Sequence, residues 1–285
     1  MSGLPQVVTE MRTSRIGSFV PDPCYRSGLI ELLGRAGIMT NVDEMELPHV
    51  RALSGAPVVQ QPSAMVPART TITGRYARLE PLSADCHAPE LFRASHASAE
   101  MLKIWDYLPV GPWQSEDAYR AALRQQTSTL DRAFYAIGAA DGGPVSGQAS
   151  YLDIHPQDGV IEIGSIWFGL DLRRTRAATE ALYLLIRYAM DDLGYRRMQW
   201  RCNALNEASR NAARRLGFRF EGIFFRHMIY KGKNRDTAWY SILGEEWPEV
   251  RALMERWLEP SNFDDQGAAR TSLSQLMQQR SGDRR

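Results

Sequence analysis

LGYRRMQWRCNALNEASRNAARRLGFRFEG (residues 193–222) and the run it completes, FGLDLRRTRAATEALYLLIRYAMDDLG (residues 168–194), decide the fold of this chain. In the first, RRMQWRC alternates as a strand and NEASRNAARRLG follows as a helix. Asn206 opens that helix and Gly217 closes it at the C-cap position. In the second, a strand ends near Gly169, a short loop carries Arg173, Arg174 and Arg176, and a helix starts near Thr175. Ala178, Leu182, Leu185, Ile186, Ala189 and Leu193 fall near one face of that helix, which predicts a helix to Leu193. A helix N-terminus leaves unpaired backbone N–H groups and about half a positive charge, so it attracts phosphate. Strand, phosphate-sized turn, helix, strand and second helix is an order suited to gripping a long phosphorylated ligand.

Outward from this centre the pattern continues. TITGRYARLEPL from Thr71 reads as a strand opening a domain, and DCHAPELFRASHAS and SEDAYRAALRQQTSTL read as helices joined by the aromatic loop IWDYLPVGPW. RAFYAIGAA and VSGQASYLDI are strands separated by the turn DGGP, and GVIEIGSIWFG is a third with strong alternation. FRFEGIFFRHMIY and RDTAWYSILG form an antiparallel pair, and EEWPEVRALMERWL is a terminal helix. The domain therefore runs over residues 71–258. Residues 1–70, interrupted by prolines, are expected to be a partly disordered extension with one short helical patch at Leu29, Leu32 and Leu33. Residues 259–285 are expected to be a polar, loosely packed C-terminal tail.

The bulk properties narrow the function. Of 285 residues, 44% are hydrophobic and 24% charged, and the net charge of +1 argues against a nucleic-acid partner. There is no apolar run near the roughly 18 residues a membrane span needs. Cys24, Cys86 and Cys202 are widely spaced without a CxxC pair, and the histidines are scattered. Reduced thiols, a cytoplasmic location and no metal follow as expectations.

The pieces RAATEA, LGYRRMQWRC, NEAS, RLGFRFEG and RDTAWYSIL resemble the GNAT superfamily of acetyl-CoA-dependent N-acetyltransferases, in its ribosomal-protein N-terminal acetyltransferase-like branch. The resemblance covers about residues 72–247. It implies an α/β fold with a mixed, mostly antiparallel splayed sheet flanked by helices, and acetyl-CoA as acyl donor. It also implies a primary amine as acceptor, on a protein N-terminus or a small molecule, and a possible homodimer. The cofactor's pyrophosphate would lie on the loop and helix start Arg173, Arg174, Thr175, Arg176, Ala177, Ala178 and Thr179. Its pantetheine arm would lie beside Ile166, Trp167 and Phe168 and near Asn206. Arg176 stands where the superfamily's loop has its first glycine, and its guanidinium is expected to bind the phosphates. Ala213 stands where many members carry a tyrosine that protonates the thiolate.

Acetyl transfer to an amine needs a base, and Glu162 is the candidate, directly or through a water; its strand alternation puts Ile161 and Ile163 on the opposite face. A paired strand carboxylate is the other reading. Ser209 is the candidate for hydrogen-bonding the thiol sulfur or cofactor amides, with helix capping as its rival. Tyr230 and Tyr240 are fallback acids, and Cys202, without an evident histidine partner, disfavours a covalent acyl-enzyme. Glu180 is accounted for by the helix dipole, and Asp236 by a turn or strand pairing. Arg226, Lys231, Lys233 and Arg235 form either a solvated face or an attraction for an acidic substrate or the 3′-phosphate of CoA. Trp105, Tyr107 and Trp113 either wall the acceptor pocket or plug the core. A non-catalytic acyl-CoA-binding or partner-binding module on the same fold is the rival from another class.

Overall fold

In the computed structural model, which describes residues 49, 51–55, 57–58 and 63–280, the alternating stretches join into one eight-stranded sheet. Its strands are β1 (Ile72–Thr73), β2 (Ala77–Pro81), β3 (Ala133–Ala139), β4 (Val145–His155), β5 (Val160–Phe168), β6 (Arg197–Asn203), β7 (Arg219–Tyr230) and β8 (Lys233–Leu243). They lie in the order β1-β2-β3-β4-β5-β6-β8-β7. Every neighbouring pair is antiparallel except β5 and β6, which run parallel. The helices are α1 (Ala84–His96), α2 (Ala99–Leu102), α3 (Glu116–Thr127), α4 (Arg176–Arg187), α5 (Glu207–Arg215), α6 (Trp247–Leu258) and α7 (Leu273–Met277). The expected mixed, mostly antiparallel sheet flanked by helices is thus the observed fold. The helical patch at Leu29–Leu33 lies outside the described residues.

Period-two alternation gives the sheet two apolar faces and so two cores. Tyr135, Ile137, Ile161, Ile163, Met198 and Tyr240 share one core with α4 and α6. Phe134, Ala136, Val145 and Trp167 share the other with α1 and α3. Helix α4 is buried nearly all round, from Ala177 to Ile186, and relaxes into a π turn over Tyr188–Asp192 where a regular helix to Leu193 was expected. Helix α5 ends as its sequence predicts. Gly217, at φ +90°, lets its own N–H reach Arg214 O and that of Phe218 reach Ala213 O.

Two expectations are corrected. The C-terminal tail is not loosely packed: Phe263, Leu273, Leu276 and Met277 are buried, and Arg280 donates to the Gly217 carbonyl at 2.6 Å. A polar composition hid a one-turn apolar stripe with i, i+3, i+4 spacing, started by a capping box between Ser272 and Gln275. Glu180 is not a dipole ornament either. It is buried, and its carboxylate accepts the backbone N–H groups of Arg75, Tyr76 and Ala77 at 3.0, 2.5 and 2.7 Å. That anchor divides the single expected strand at 71–82 into β1 and β2.

Candidate active site

The centre of the molecule is a place where the sheet fails to close. Strand β5 pairs with β6 at Val160–Arg197, Ile161–Met198 and Glu162–Gln199, and there the pairing stops. Beyond it β5 continues to Phe168 on the edge of β4, while β6 continues to Asn203 on β8. Successive residues of a strand turn to alternate neighbours, so about half of the backbone groups in Ile163–Phe168 face a gap instead of a ladder partner. A bulge helps β5 to swing away: Ser165 sits at φ +52°, and the register with β4 slips between Gln148 and Ser150. The slip also reverses the alternation. Ile161 and Ile163 face α4, yet Trp167, an even number of residues further on, faces α1 and α3.

The chain leaves β5 directly into the start of α4. Gly169 donates to the Ser146 carbonyl at 2.6 Å, and a Cβ there would push on Ser146 Oγ and crowd the Ser146 carbonyl, so glycine suits this close approach. Its carbonyl then accepts the N–H groups of Leu172 and Arg173. Thr175 caps the helix, its Oγ1 accepting from Ala178 N at 3.2 Å. Among the described residues the amides of Arg176 and Ala177 have no partner and remain open.

The three arginines of this loop diverge. Arg173 pairs with Glu100 at 2.5 Å. The guanidinium of Arg176 stacks on Tyr76, 4.4 Å from the ring centroid, and on Phe263 at 5.2 Å, so its side chain is engaged in packing instead of standing free for phosphate. Its backbone is helical, so the position needs no glycine. Arg174, exposed like Arg173 but held at φ +66°, has no side-chain partner among the described residues. Thr179 Oγ1 accepts from Arg215, tying α4 to α5 at 3.0 Å.

Glu162 stands at the vertex of the gap, only 3% exposed. Burial pushes its carboxyl up to about 7, against the pull of Arg201, while the charge of Asp153 adds to the rise. Arg201, on β6, crosses the gap: its Nε donates to Glu162 and its Nη2 to Asp153, and its guanidinium lies 4.8 Å from the ring centroid of Trp239. A carboxylate half-titrated near neutral pH is suited to taking a proton from an amine.

On the far side, Asn206 Oδ1 caps α5 by accepting from Ser209 N at 3.1 Å. Ser209 Oγ accepts from the Trp200 indole at 3.1 Å, which leaves its own hydrogen available to donate. Tyr240 is fully buried and accepts from Arg210 at 3.2 Å; Tyr230 carries the guanidinium of Arg235 on its ring. Asp236 accepts from the Arg226 amide at 2.7 Å, a role in strand pairing. Trp105 and Trp113 pack with His96 and Tyr119 as an aromatic plug, whereas Tyr107 is exposed and donates to the Leu205 carbonyl at 3.2 Å. Arg201, Trp200 and Trp239 were missed in the sequence. For Arg201 the sequence offered only a charge on the strand RRMQWRC, with nothing to mark Glu162 as its partner.

Comparison with known proteins agrees with this architecture. The family described as acetyltransferase (GNAT) domain matches residues 77–219. The chain belongs to the GNAT acetyltransferase family. The crystal structure of a GCN5-related N-acetyltransferase from Brucella melitensis superposes on this acetyltransferase with a TM-score of 0.74 at 42% identity, covering 77% of this chain and 98% of that one. A candidate GNAT acetyltransferase from Chromobacterium violaceum gives 0.65 at 39% identity, covering 70% and 98%. YdaF of Bacillus subtilis (strain 168), named as a candidate ribosomal N-acetyltransferase, is 28% identical over 152 residues, 52% of this chain and 81% of YdaF. Among the described residues no helix of the acetyltransferase is long and apolar enough to cross a membrane, and no acidic, histidine or cysteine cluster could hold a metal ion.

Proposed function

We propose that this acetyltransferase moves the acetyl group of acetyl-CoA directly to a primary amine, without a covalent acyl-enzyme. One coincidence carries the reading: the gap between β5 and β6, the open amides of α4 at the end of the same β5, and Glu162 at the vertex. The α4 amides, with Arg174 beside them, suit a pyrophosphate. Arg173, Thr175, Ala177, Ala178 and Thr179 shape that seat, and Arg176 contributes its amide. The unpaired edge of Ile166, Trp167 and Phe168 suits the amide-bearing pantetheine arm, with Asn206 across the gap.

An amine attacks only when neutral, and unperturbed ammonium groups titrate at about 10.4 for lysine and about 8 for a chain N-terminus. Glu162 takes the ammonium proton. The amine lone pair then forms the C–N bond as the C–S bond breaks, and the electron pair leaves with sulfur. Ser209 gives its hydroxyl hydrogen to the sulfur and is re-protonated through solvent by the proton the new amide sheds. Cys202 lies on the α4 side of β6 and takes no part. The acceptor is a small amine or a protein N-terminus, and the name of YdaF makes a ribosomal protein one member of that class.

The test is calorimetric titration of acetyl-CoA into the wild type and Arg174→Glu, followed by thiol release with a panel of amines. Micromolar binding weakened about tenfold by the charge reversal, with turnover, is the expected result. Absent binding overturns the reading. Tight binding with no turnover on any amine supports the non-catalytic acyl-CoA-binding module instead.

A further inference from the structure

The basic residues of the β7–β8 hairpin are of two kinds. Arg226 and Lys233 are exposed, as a solvated patch would be. Arg235 is not: it is 8% exposed, its Nε is enclosed without a hydrogen-bond partner, and no acidic side chain among the described residues pairs with its guanidinium. What it has is a tyrosine ring, that of Tyr230, at 4.4 Å. A guanidinium cannot shed its proton, so it cannot escape the cost of burial by neutralising. A buried cation that no carboxylate hydrogen-bonds is an incomplete pair.

The direction of Arg235 says where the anion belongs. On β8, Ala238, Tyr240 and Ile242 enter the core under α4. Arg235, Thr237 and Trp239 alternate with them and take the opposite face, where Trp239 is paired in register with Arg201 and is stacked by its guanidinium. That is the face of Glu162, and the charge of Arg235 acts on the Glu162 carboxyl. The open amides of α4 belong to a helix on the other face, so the phosphates of a donor seated there leave Arg235 unserved. Lys231, at the hairpin turn, donates to the Trp105 carbonyl at 2.6 Å and ties the hairpin to the aromatic loop.

We propose that Arg235 binds a carboxylate of the acceptor, so that the acceptor is a primary amine carrying a carboxylate a few bonds away. This rests on the acetyl-transfer reading above. Two sources share that chemistry: the α-carboxylate of a free amino acid, and an acidic side chain at the start of a peptide. Arg235 holds the carboxylate while Glu162 takes the proton from the amine.

The experiment uses the full chain with acetyl-CoA and acceptor pairs that differ only in the carboxylate: free amino acids against their amides, and peptides beginning with Asp or Glu against Asn or Gln. In one pair the carboxylate member is expected to be preferred about tenfold or more in kcat/KM, and that pair identifies the source. Arg235→Gln is expected to collapse the preference through KM for the carboxylate member, and Arg235→Lys to restore part of it. Equal use of both members by the wild type overturns the proposal, as does a loss of acetyl-CoA affinity in Arg235→Gln with the preference intact. A calorimetric arm, titrating the same amino acids and peptides into CoA-loaded protein, needs no turnover. Carboxylate-dependent binding that Arg235→Gln abolishes would uphold the site even if no amine were acetylated, and absence of such binding would overturn it even if simple amines were.

Discussion

Two charged clusters occupy one face of the same strands, and they behave oppositely. Arg197 and Arg201 lie four residues apart on β6. At the closed end Arg197 grips both oxygens of Glu221 at 2.8 and 2.6 Å, Arg51 reaches Glu221 at 2.7 Å and Glu246 at 2.8 Å, and Ser241 donates to Glu221 at 2.6 Å. At the open end Arg201 alone is shared between Glu162 and Asp153. Burial pushes on Glu221 as it does on Glu162, but bonds from Arg197 and Ser241 hold Glu221 below the usual carboxylate range, whereas Glu162 rises to about 7. The supply of donors per carboxylate separates a structural acid from a reactive one. Where the sheet is closed the donors are in surplus; where it parts they are scarce, and a titratable group is left near neutrality.

The largest effect expected follows from Glu162. Replacing it in Glu162→Gln should lower kcat by about a hundredfold or more at neutral pH. In the wild type the rate should rise with pH through about 7, as the base loses its proton, and in the variant that limb should vanish. Thermal melts supply the opposite check. A raised folded pKa favours the protonated folded state, so the contribution of Glu162 to stability is full below its unfolded value, about 4.5. It declines as pH rises through 7. The melting temperature of Glu162→Gln relative to the wild type should therefore climb between pH 5 and pH 8. An unchanged rate in the variant would make Glu162 another paired carboxylate and dissolve the contrast between the clusters.

The closed end should answer differently. Arg51→Ala removes charge-assisted bonds to two half-buried carboxylates, worth about 2 kcal/mol, or about 4–8 °C in Tm for a chain of this size. Turnover should be retained. Glu221 and Glu246 have lowered folded pKa values, so their stabilisation is present above the unfolded value of about 4.5 and is lost as pH falls through the folded values. The gap in Tm between variant and wild type should consequently narrow in acid. A fall in turnover that tracks Arg51→Ala would show the two clusters to be coupled along β6.

What could be read beforehand divides along the same line. The α4 start, the capping by Asn206, the Gly217 stop and the face of Glu162 are local consequences of spacing, and each is found in the fold. What was not legible depends on contacts remote in sequence. Arg201 meets Glu162 across a gap that no pattern on either strand announces. The bulge at Ser165 reverses an alternation that reads as unbroken in IEIGSIWF. Arg176 is drawn from the phosphate seat by Tyr76 and by Phe263 of a tail whose composition looked unstructured. Arg235 reads as surface among its basic neighbours, and only the alternation of β8 under register with β6 turns it inward.

Ser209 gives the smallest effect and the finest discrimination. Its hydroxyl accepts from the Trp200 indole, which leaves one hydrogen to give either to the departing sulfur or to an amide carbonyl of the cofactor arm. Both are hydrogen bonds worth about 1 kcal/mol, and water can replace either in part, so Ser209→Ala should cost only about fivefold to tenfold. The kinetic constant that moves separates them. Donation to sulfur occurs as the C–S bond breaks, so its loss lowers kcat and leaves KM for acetyl-CoA in place. Donation to the cofactor arm is present before reaction, so its loss raises KM with kcat intact. Trp200→Phe, which removes the bond orienting the hydroxyl, should shift the same constant by a smaller factor. If Ser209→Ala moved neither, the residue would be an inner-face helix serine and the open end of the sheet would work through Glu162 alone.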